Sequence, residues 1–165
     1  MTAASTERPS LDARMVTFEL GDRLYGVDVR AVQEVLRGQP LTRVPLAPPG
    51  LAGLINLRGQ VLTAMDLCER LGLPPRPPDA PEPMVVVVRV DGESIALLVD
   101  RIGGVVDVSD DNVEAPPDPL TGPTPHLIQG AYKLEGELLL ALDVERAVYL
   151  PQEVIRPGIS RAEVG

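Results

Sequence analysis

The sequence is short of aromatic residues, cysteine and histidine. Its 165 residues include one Phe, three Tyr, no Trp, one Cys and one His. The core must therefore be aliphatic, and the aromatic side chains on which single-stranded nucleic acids usually stack are missing. The lone Cys68 excludes an internal disulfide and a cysteine-cluster metal site. There is also no glycine-rich phosphate loop and no set of metal ligands at a recognisable spacing, so we expect neither a cofactor nor a metal.

Long apolar runs are missing as well. The apolar run at 84–88 is far shorter than the roughly 20 residues that a membrane-spanning helix needs. Residues 1–14 contain acidic side chains and no apolar stretch, so they do not form a signal peptide. We therefore expect a soluble, cytoplasmic protein with no direct membrane insertion.

The net charge of −9 comes from one part of the chain. Residues 1–75 carry eight basic and eight acidic side chains, whereas residues 76–165 carry seven basic and 16 acidic ones. An acidic protein repels phosphate backbones and anionic lipids. We therefore expect no nucleic acid among its partners.

An internal repeat is the strongest pattern in the sequence. The segment GLAGLINLRGQVLTAMDL at 50–67 matches LIQGAYKLEGELLLALDV at 127–144, with a constant offset of 77 residues and six identities in the 17 positions of 51–67. Each copy predicts a strand, a tight turn, a second strand and a helix start. A further match, at an offset of 70, aligns Gly26–Val35 with Ala96–Val105. The sequence therefore predicts one β-rich unit used twice, with a seven-residue insertion in the loop at 109–126.

The regions between these patterns set the domain boundaries. Six prolines in ten residues predict an extended linker between the two units. The short polar N-terminus is typical of a disordered arm. The predicted organisation is an arm at 1–14, one domain at 15–150 with a Pro-rich linker at 74–83, and a tail at 151–165.

Local patterns complete the predicted strands. Gly21-Asp22 and Asp91-Gly92 are hairpin turns between alternating or β-branched segments. The continuous run Met84–Val90 predicts a strand covered on both faces. Val29–Leu36 has apolar residues at helical spacing, which predicts a helical turn before a strand at Leu41–Pro45.

Two pairs of residues are candidates for catalytic groups. Asp66 and Asp143 occupy matching positions of the repeat, as the two aspartates do in aspartic proteases, but neither is followed by the small residue and glycine that such enzymes need. An N-cap at the start of a short helix explains both, so an aspartic-type hydrolase is only a remote alternative. For Cys68 and His126, a buried thiol and a surface imidazole are a simpler interpretation than a nucleophilic pair.

The hairpin tip at Arg58-Gly59 is the better candidate for function. Gly59 and its counterpart Gly136 are both explained by the turn, which needs a positive φ. Arg58 is not, because its counterpart is Glu135. Both copies keep the glycine of the turn, but only the first has a positive charge beside it, so the shared fold does not require that charge. The sequence therefore predicts that Arg58 binds an acidic or polar partner.

At these residues the chain is similar to the CheW family, the adaptor proteins of bacterial chemotaxis. The resemblance extends from Met15 to about Leu150. It is carried by FELGDRLYGVDVRAVQEVLR at 18–37 and LTRVPLAPPGLAGLINLRGQVLTAMDL at 41–67, and more loosely by LLVDRIGGVVDV and the second repeat copy. The ordered combination of LGD-x-x-YG, VQEV and G-x-x-NLRG is specific, whereas any one of them alone is weak.

The resemblance implies an all-β fold of two five-stranded Src-homology-3-like β-barrels that share an aliphatic core, with a few short helices. Barrel one would cover about 15–73 and barrel two about 84–150. Family binding positions correspond to Val32, Glu34, Gly53 and Arg58. The neighbouring hairpin residues Asn56, Leu57 and Gly59 complete the candidate site.

The resemblance also implies a function without catalysis. Such a protein couples the cytoplasmic tip of chemoreceptors to the regulatory domain of the histidine kinase CheA, in receptor arrays at the inner face of the membrane. Other CheW-like domains are a further class of partner. An alternative with the same contacts is an adaptor of a chemotaxis-like pathway that controls pili or gene expression.

Overall fold

The structure is a computed structural model, and it describes residues 12–109, 111, 113–114 and 124–149. Residues 1–11 of the arm predicted at 1–14, most of the predicted insertion loop and the tail at 151–165 lie outside the described residues.

Strands make up most of the described chain. The elements are β1 (Asp12–Leu20), β2 (Arg23–Asp28), a 3-10 turn (Val29–Ala31), β3 (Val32–Leu36), β4 (Leu41–Thr42), β5 (Leu51–Leu57), β6 (Gln60–Asp66), α1 (Leu67–Arg70), β7 (Met84–Val90), β8 (Glu93–Val99), β9 (Arg101–Ser109), β10 (Val113–Glu114), α2 (Thr124–Leu127), β11 (Ile128–Leu134), β12 (Glu137–Leu142) and α3 (Val144–Val148). The prediction of an all-β protein with a few short helices is therefore confirmed. None of the described helices is long and apolar enough to cross a membrane.

The strands form two sheets of the same design. Sheet I has the order β10-β11-β12-β2-β1-β9, and sheet II has the order β3-β7-β8-β6-β5-β4. Each strand of sheet II has its counterpart in sheet I: β3 corresponds to β9, β7 to β1, β8 to β2, β6 to β12, β5 to β11 and β4 to β10. The two sheets are therefore related by the repeat. In each sheet a hairpin of one half joins four strands of the other half through a parallel pair, β12 with β2 or β6 with β8.

This exchange corrects the predicted barrel boundaries. The segments 15–73 and 84–150 do not form separate barrels, because β1 and β2 belong to the sheet of the second half, and β7 and β8 to the sheet of the first. The number of strands also differs. Each described sheet has six strands rather than five, since a two-residue strand, β4 or β10, extends one edge.

Three apolar clusters hold the sheets together. One contains Ile55, Leu62 and Val87 and draws its members from sheet II alone. A second contains Met15 and Leu139 and draws its members from sheet I alone. The largest lies between the sheets and includes residues of both, together with side chains of the helices. Each sheet therefore encloses its own core, and the expectation of a shared core between two barrels is confirmed.

β7 explains why one strand needs a continuous β-branched run. Val86 and Val88 point into the shared core, while Val85 and Val87 point into the interior of sheet II. All four are buried, which confirms the prediction of a strand covered on both faces.

The prediction for Val29–Leu36 was wrong in part. Only Val29–Ala31 is helical, and the residues of the VQEV motif form β3. The reason is that β3 pairs with β7 along Val85–Val88, and this long-range pairing outweighs the local helical spacing. β1 begins at Asp12, three residues before the predicted start, because it continues to pair with β9 as far as Ser109.

Candidate partner-binding site

The tip of the β5–β6 hairpin is a two-residue turn with unusual residues. Arg58 and Gly59 have φ angles of 52° and 87°, the left-handed pair that such a turn requires. The β7–β8 turn has the same form, with φ of 52° at Asp91 and 81° at Gly92. Aspartate tolerates a left-handed backbone because its short side chain forms local hydrogen bonds. Arginine gains no such hydrogen bond, so the left-handed conformation costs about 1 kcal/mol of stability there. Arg58 is therefore not the residue that the turn itself would select.

Asn56 holds the turn in this conformation. Its side-chain oxygen accepts a hydrogen bond from the backbone N–H of Gly59, with an N···O distance of 3.0 Å. Asn56 and Gly59 are both exposed at the tip. They position the backbone from which the Arg58 side chain projects.

The Arg58 guanidinium forms an ion pair with the Glu34 carboxylate through Nη2 and Oε2. Glu34 lies on β3 and Arg58 at the end of β5, strands that stand near opposite edges of sheet II. Their contact therefore requires the sheet to curl round until its edges approach. Two thirds of the Arg58 side chain is exposed, so the guanidinium keeps donors for another carboxylate or carbonyl.

Three of the predicted site residues are buried or half-buried. Val32 is half-buried against the shared core, and Leu57 is half-buried against the interior of sheet II. Gly53 lies at a bulge of β5, where φ is 154°. A Cβ there would overlap the Thr42 carbonyl oxygen and lie 3.1 Å from Arg43 Cα. The structure thus brings Glu34, Asn56, Arg58 and Gly59 together at one surface.

Both aspartates of the repeat are N-caps, as the sequence predicts. Asp66 Oδ1 accepts from the Glu69 N–H at 3.3 Å, and Asp143 Oδ1 accepts from the Arg146 N–H at 3.1 Å. Asp66 also pairs with Arg76 Nη1 at 3.0 Å. The two carboxylates thus serve separate helices and have separate arginine partners, which is not the arrangement of a shared-proton dyad.

The environment of Cys68 does not favour a nucleophile. Burial, partly offset by nearby Arg76, raises the pKa of the thiol to about 11, and Cys68 donates its hydrogen bond to Asp100 Oδ1 at 3.8 Å. His126 is exposed at the surface, as predicted, although it lies on α2 rather than in a loop. Within the described chain, no three His, Cys, Asp or Glu residues are placed to hold a metal ion.

Sequence reasoning missed the role of Arg76. It lies in the Pro-rich linker, where no repeat or motif draws attention to it, and its guanidinium also binds Asp100 through Nε at 2.6 Å. Only the three-dimensional approach of Asp66 and Asp100 reveals this cluster. A lone arginine among six prolines was the single available signal.

These features define a binding module: a rigid two-sheet scaffold that presents an ion-paired arginine on an exposed hairpin. The CheW-like domain family matches residues 14–151. The chain belongs to this family.

Known relatives agree with this assignment. The chain is 29% identical over 136 residues to the chemotaxis protein CheW of Treponema pallidum, a match that covers 81% of this chain and 80% of the relative. A more distant match is Protein PilI of Pseudomonas aeruginosa, 28% identical over 120 residues, with 73% of this chain and 67% of that protein covered. The scaffolding protein TtCheW of Thermoanaerobacter tengcongensis has a similar structure, with a TM-score of 0.75, 26% identity and coverage of 87% of this chain and 97% of that one. The expected fold of two Src-homology-3-like barrels is thereby confirmed.

Proposed function

We propose that this chain is a non-catalytic chemotaxis scaffold that couples the cytoplasmic tips of chemoreceptors to the regulatory domain of the histidine kinase CheA. Membership of the CheW-like family supports the scaffold function. The observation that carries the choice of surface is Arg58, which occupies a left-handed turn position that does not favour arginine. A locally unfavourable residue on an exposed tip is best explained by a contact with a partner.

The chemistry of the tip fits a partner that offers oxygen atoms. Arginine presents a planar set of donors, and the Glu34 carboxylate engages only part of it. Exposed ion pairs contribute about 0–1 kcal/mol to stability. The pair with Glu34 therefore orients the Arg58 side chain but is weak enough for Arg58 to bind a partner as well. A receptor or kinase carboxylate, or a backbone carbonyl at a helix end, can then bind the remaining N–H groups.

The mechanism is mutual placement. A scaffold that holds receptor and kinase in a fixed geometry makes kinase activity depend on small movements of the receptor. The two enclosed cores and the shared core give this chain the rigidity that such a role requires. In this function the protein works in receptor arrays at the cytoplasmic face of the membrane.

Co-sedimentation with receptor-containing membranes and CheA tests the proposal. Arg58→Glu should abolish co-sedimentation while the melting temperature changes little. The matched control is Arg101→Glu, since Arg101 has a similarly exposed ion pair with Glu19, and it should co-sediment normally. Normal assembly of the Arg58 variant would refute the assignment of this surface.

A charge exchange separates an internal role from a partner contact. In the double variant Arg58→Glu with Glu34→Arg, the ion pair is restored in reverse. If only the internal pair matters, the double variant should recover assembly. We expect it to remain defective, because the partner would then meet a glutamate at the tip.

The match to Protein PilI favours a second candidate: an adaptor with the same contacts in a chemotaxis-like pathway controlling pili or gene expression. Pull-down experiments with the regulatory domains of the organism's own CheA-type kinases distinguish the two. Preference for the kinase of the flagellar pathway supports the first candidate, and preference for the kinase of the other pathway supports the second.

A further inference from the structure

Arg76 joins the Pro-rich linker at 74–83 to the body of the protein through charged hydrogen bonds. Arg76 donates from Nη1 to Asp66 Oδ2 at 3.0 Å and from Nε to Asp100 Oδ1 at 2.6 Å. A longer contact runs from Nη2 to the Leu98 carbonyl at 3.4 Å. The three charged side chains are mostly buried: the exposed fraction is 17% for Arg76, 25% for Asp66 and 26% for Asp100.

The two carboxylates come from different halves of the chain. β6 and β8 are parallel neighbours in which Asp66 stands beside Leu98, so both strands end at the same edge of sheet II. Asp100 follows β8 and also accepts a hydrogen bond from the Gly21 N–H at 2.7 Å. Without Arg76, two aspartates would face each other in a partly buried region with no cation between them.

Beneath the linker lies a cavity of about 620 Å³. Its lining includes prolines of the linker and the apolar side chains of Leu20, Cys68 and Leu73. Cys68 is only 3% exposed. The linker therefore forms part of the wall of a cavity that also includes the buried Cys68.

We propose that residues 74–83 are a latch, held closed over this cavity by Arg76 and released as one piece when that side chain leaves Asp66 and Asp100. The segment is not extended throughout, contrary to the prediction from its composition, because it contains a turn in which the Ala80 N–H donates to the Pro77 carbonyl at 3.0 Å. This turn and the prolines on either side of it restrict the backbone, so the segment moves about its ends as one piece. The charged contact thus acts as the catch. Opening uncovers Cys68 and the apolar wall together.

The second half of the chain provides a natural contrast. Asp143 is equivalent to Asp66, but it pairs with Arg146 on its own helix at 3.6 Å. That pair joins no linker to the sheets. The Asp66–Arg76–Asp100 cluster is therefore an addition to the first copy and not a requirement of the repeated fold.

Because Cys68 is the only cysteine, its reaction with an uncharged thiol reagent such as iodoacetamide reports opening directly. Arg76→Ala should accelerate the reaction by at least about tenfold, the change expected when two charged hydrogen bonds of a local opening are lost. The chemical effect has the opposite sign: Arg76 lowers the pKa of the thiol, so its removal alone would slow the reaction. A faster reaction therefore means greater access, and an unchanged or slower one overturns the latch.

Three further variants separate local opening from general loss of stability. Val87 faces the interior of sheet II and not the shared core that contains Cys68, so Val87→Ala should accelerate labelling much less than Arg76→Ala at matched stability. Asp66→Asn keeps an N-cap but loses the charge. Because Asp66 also raises the pKa of the thiol, labelling rates are compared per thiolate; on that scale Asp66→Asn should still be faster than wild type, whereas Asp143→Asn should not. If labelling follows global stability across the whole set, Arg76 is an ordinary stabilising residue and the proposal fails.

Discussion

Replacing Gly53 by alanine should destabilise the protein by about 3 kcal/mol. The φ of 154° lies in a region that residues with a Cβ rarely adopt, at a cost of about 1–3 kcal/mol. The new methyl group would also overlap the Thr42 carbonyl and lie 2.9 Å from its carbon. Because both atoms belong to the β4 backbone, relief requires the β4 end to move away from β5, which loses part of their pairing.

The repeat supplies the matched control. Gly130 is the counterpart of Gly53, it also sits at a bulge, and an added Cβ there meets no atom within 4 Å. Gly130→Ala should therefore change the free energy of unfolding by no more than about 0.5 kcal/mol. Urea denaturation measures both variants, and for a chain of this size each kcal/mol corresponds to about 2–4 °C in melting temperature. Equal effects at the two glycines would refute the steric argument.

This comparison also bears on function. Gly53 is predicted as a binding position, and the structure shows that it also packs closely against the backbone of β4. A Gly53→Ala variant that binds poorly should do so because β4 and the β5–β6 hairpin have shifted. Partner binding and folding stability should then fall together, unlike in Arg58→Glu.

Two further predictions concern buried groups. The Tyr25 hydroxyl is buried and has no hydrogen-bond partner among the described residues, so Tyr25→Phe should leave the unfolding free energy unchanged or raise it by about 1 kcal/mol, as urea denaturation would show; a clear loss would reveal a partner for the hydroxyl. The folded state raises the pKa of Cys68 from 9.0 to about 11, so the stability linked to this neutral thiol is fully present below pH 9 and is lost as the pH rises towards 11. The free energy of unfolding, measured by urea denaturation between pH 8 and about 11, should therefore decrease less steeply with pH for Cys68→Ala than for wild type. Identical slopes would contradict the linkage.

The sequence predicted strands well where local chemistry determines them. The Asp91-Gly92 turn, the buried run Met84–Val90 and the N-caps Asp66 and Asp143 each depend on residues close in sequence. Alternation of side chains shows that a segment is a strand, but it does not show which strand lies beside it. For this reason the parallel pairs between halves could not be predicted from the repeat.

The candidate site shows the same division. The difference between Arg58 and Glu135 pointed to the hairpin tip, and the family resemblance added Glu34, which the structure places against Arg58. The apolar spacing around the VQEV segment predicts a helical turn. The segment forms a strand instead because it pairs with β7, which is distant in sequence. Arg76 escaped notice because its partners meet only after β6 and β8 are aligned.

The exchange of hairpins means that the chain resembles a domain-swapped dimer whose two subunits have been joined end to end. Neither half can complete a sheet by itself, because each lends its first two strands to the other. The β5–β6 hairpin therefore lies in a sheet that also contains β7 and β8 of the opposite half. The two halves are joined by backbone hydrogen bonds as well as by side-chain packing, so a displacement of one half acts directly on the backbone of the other.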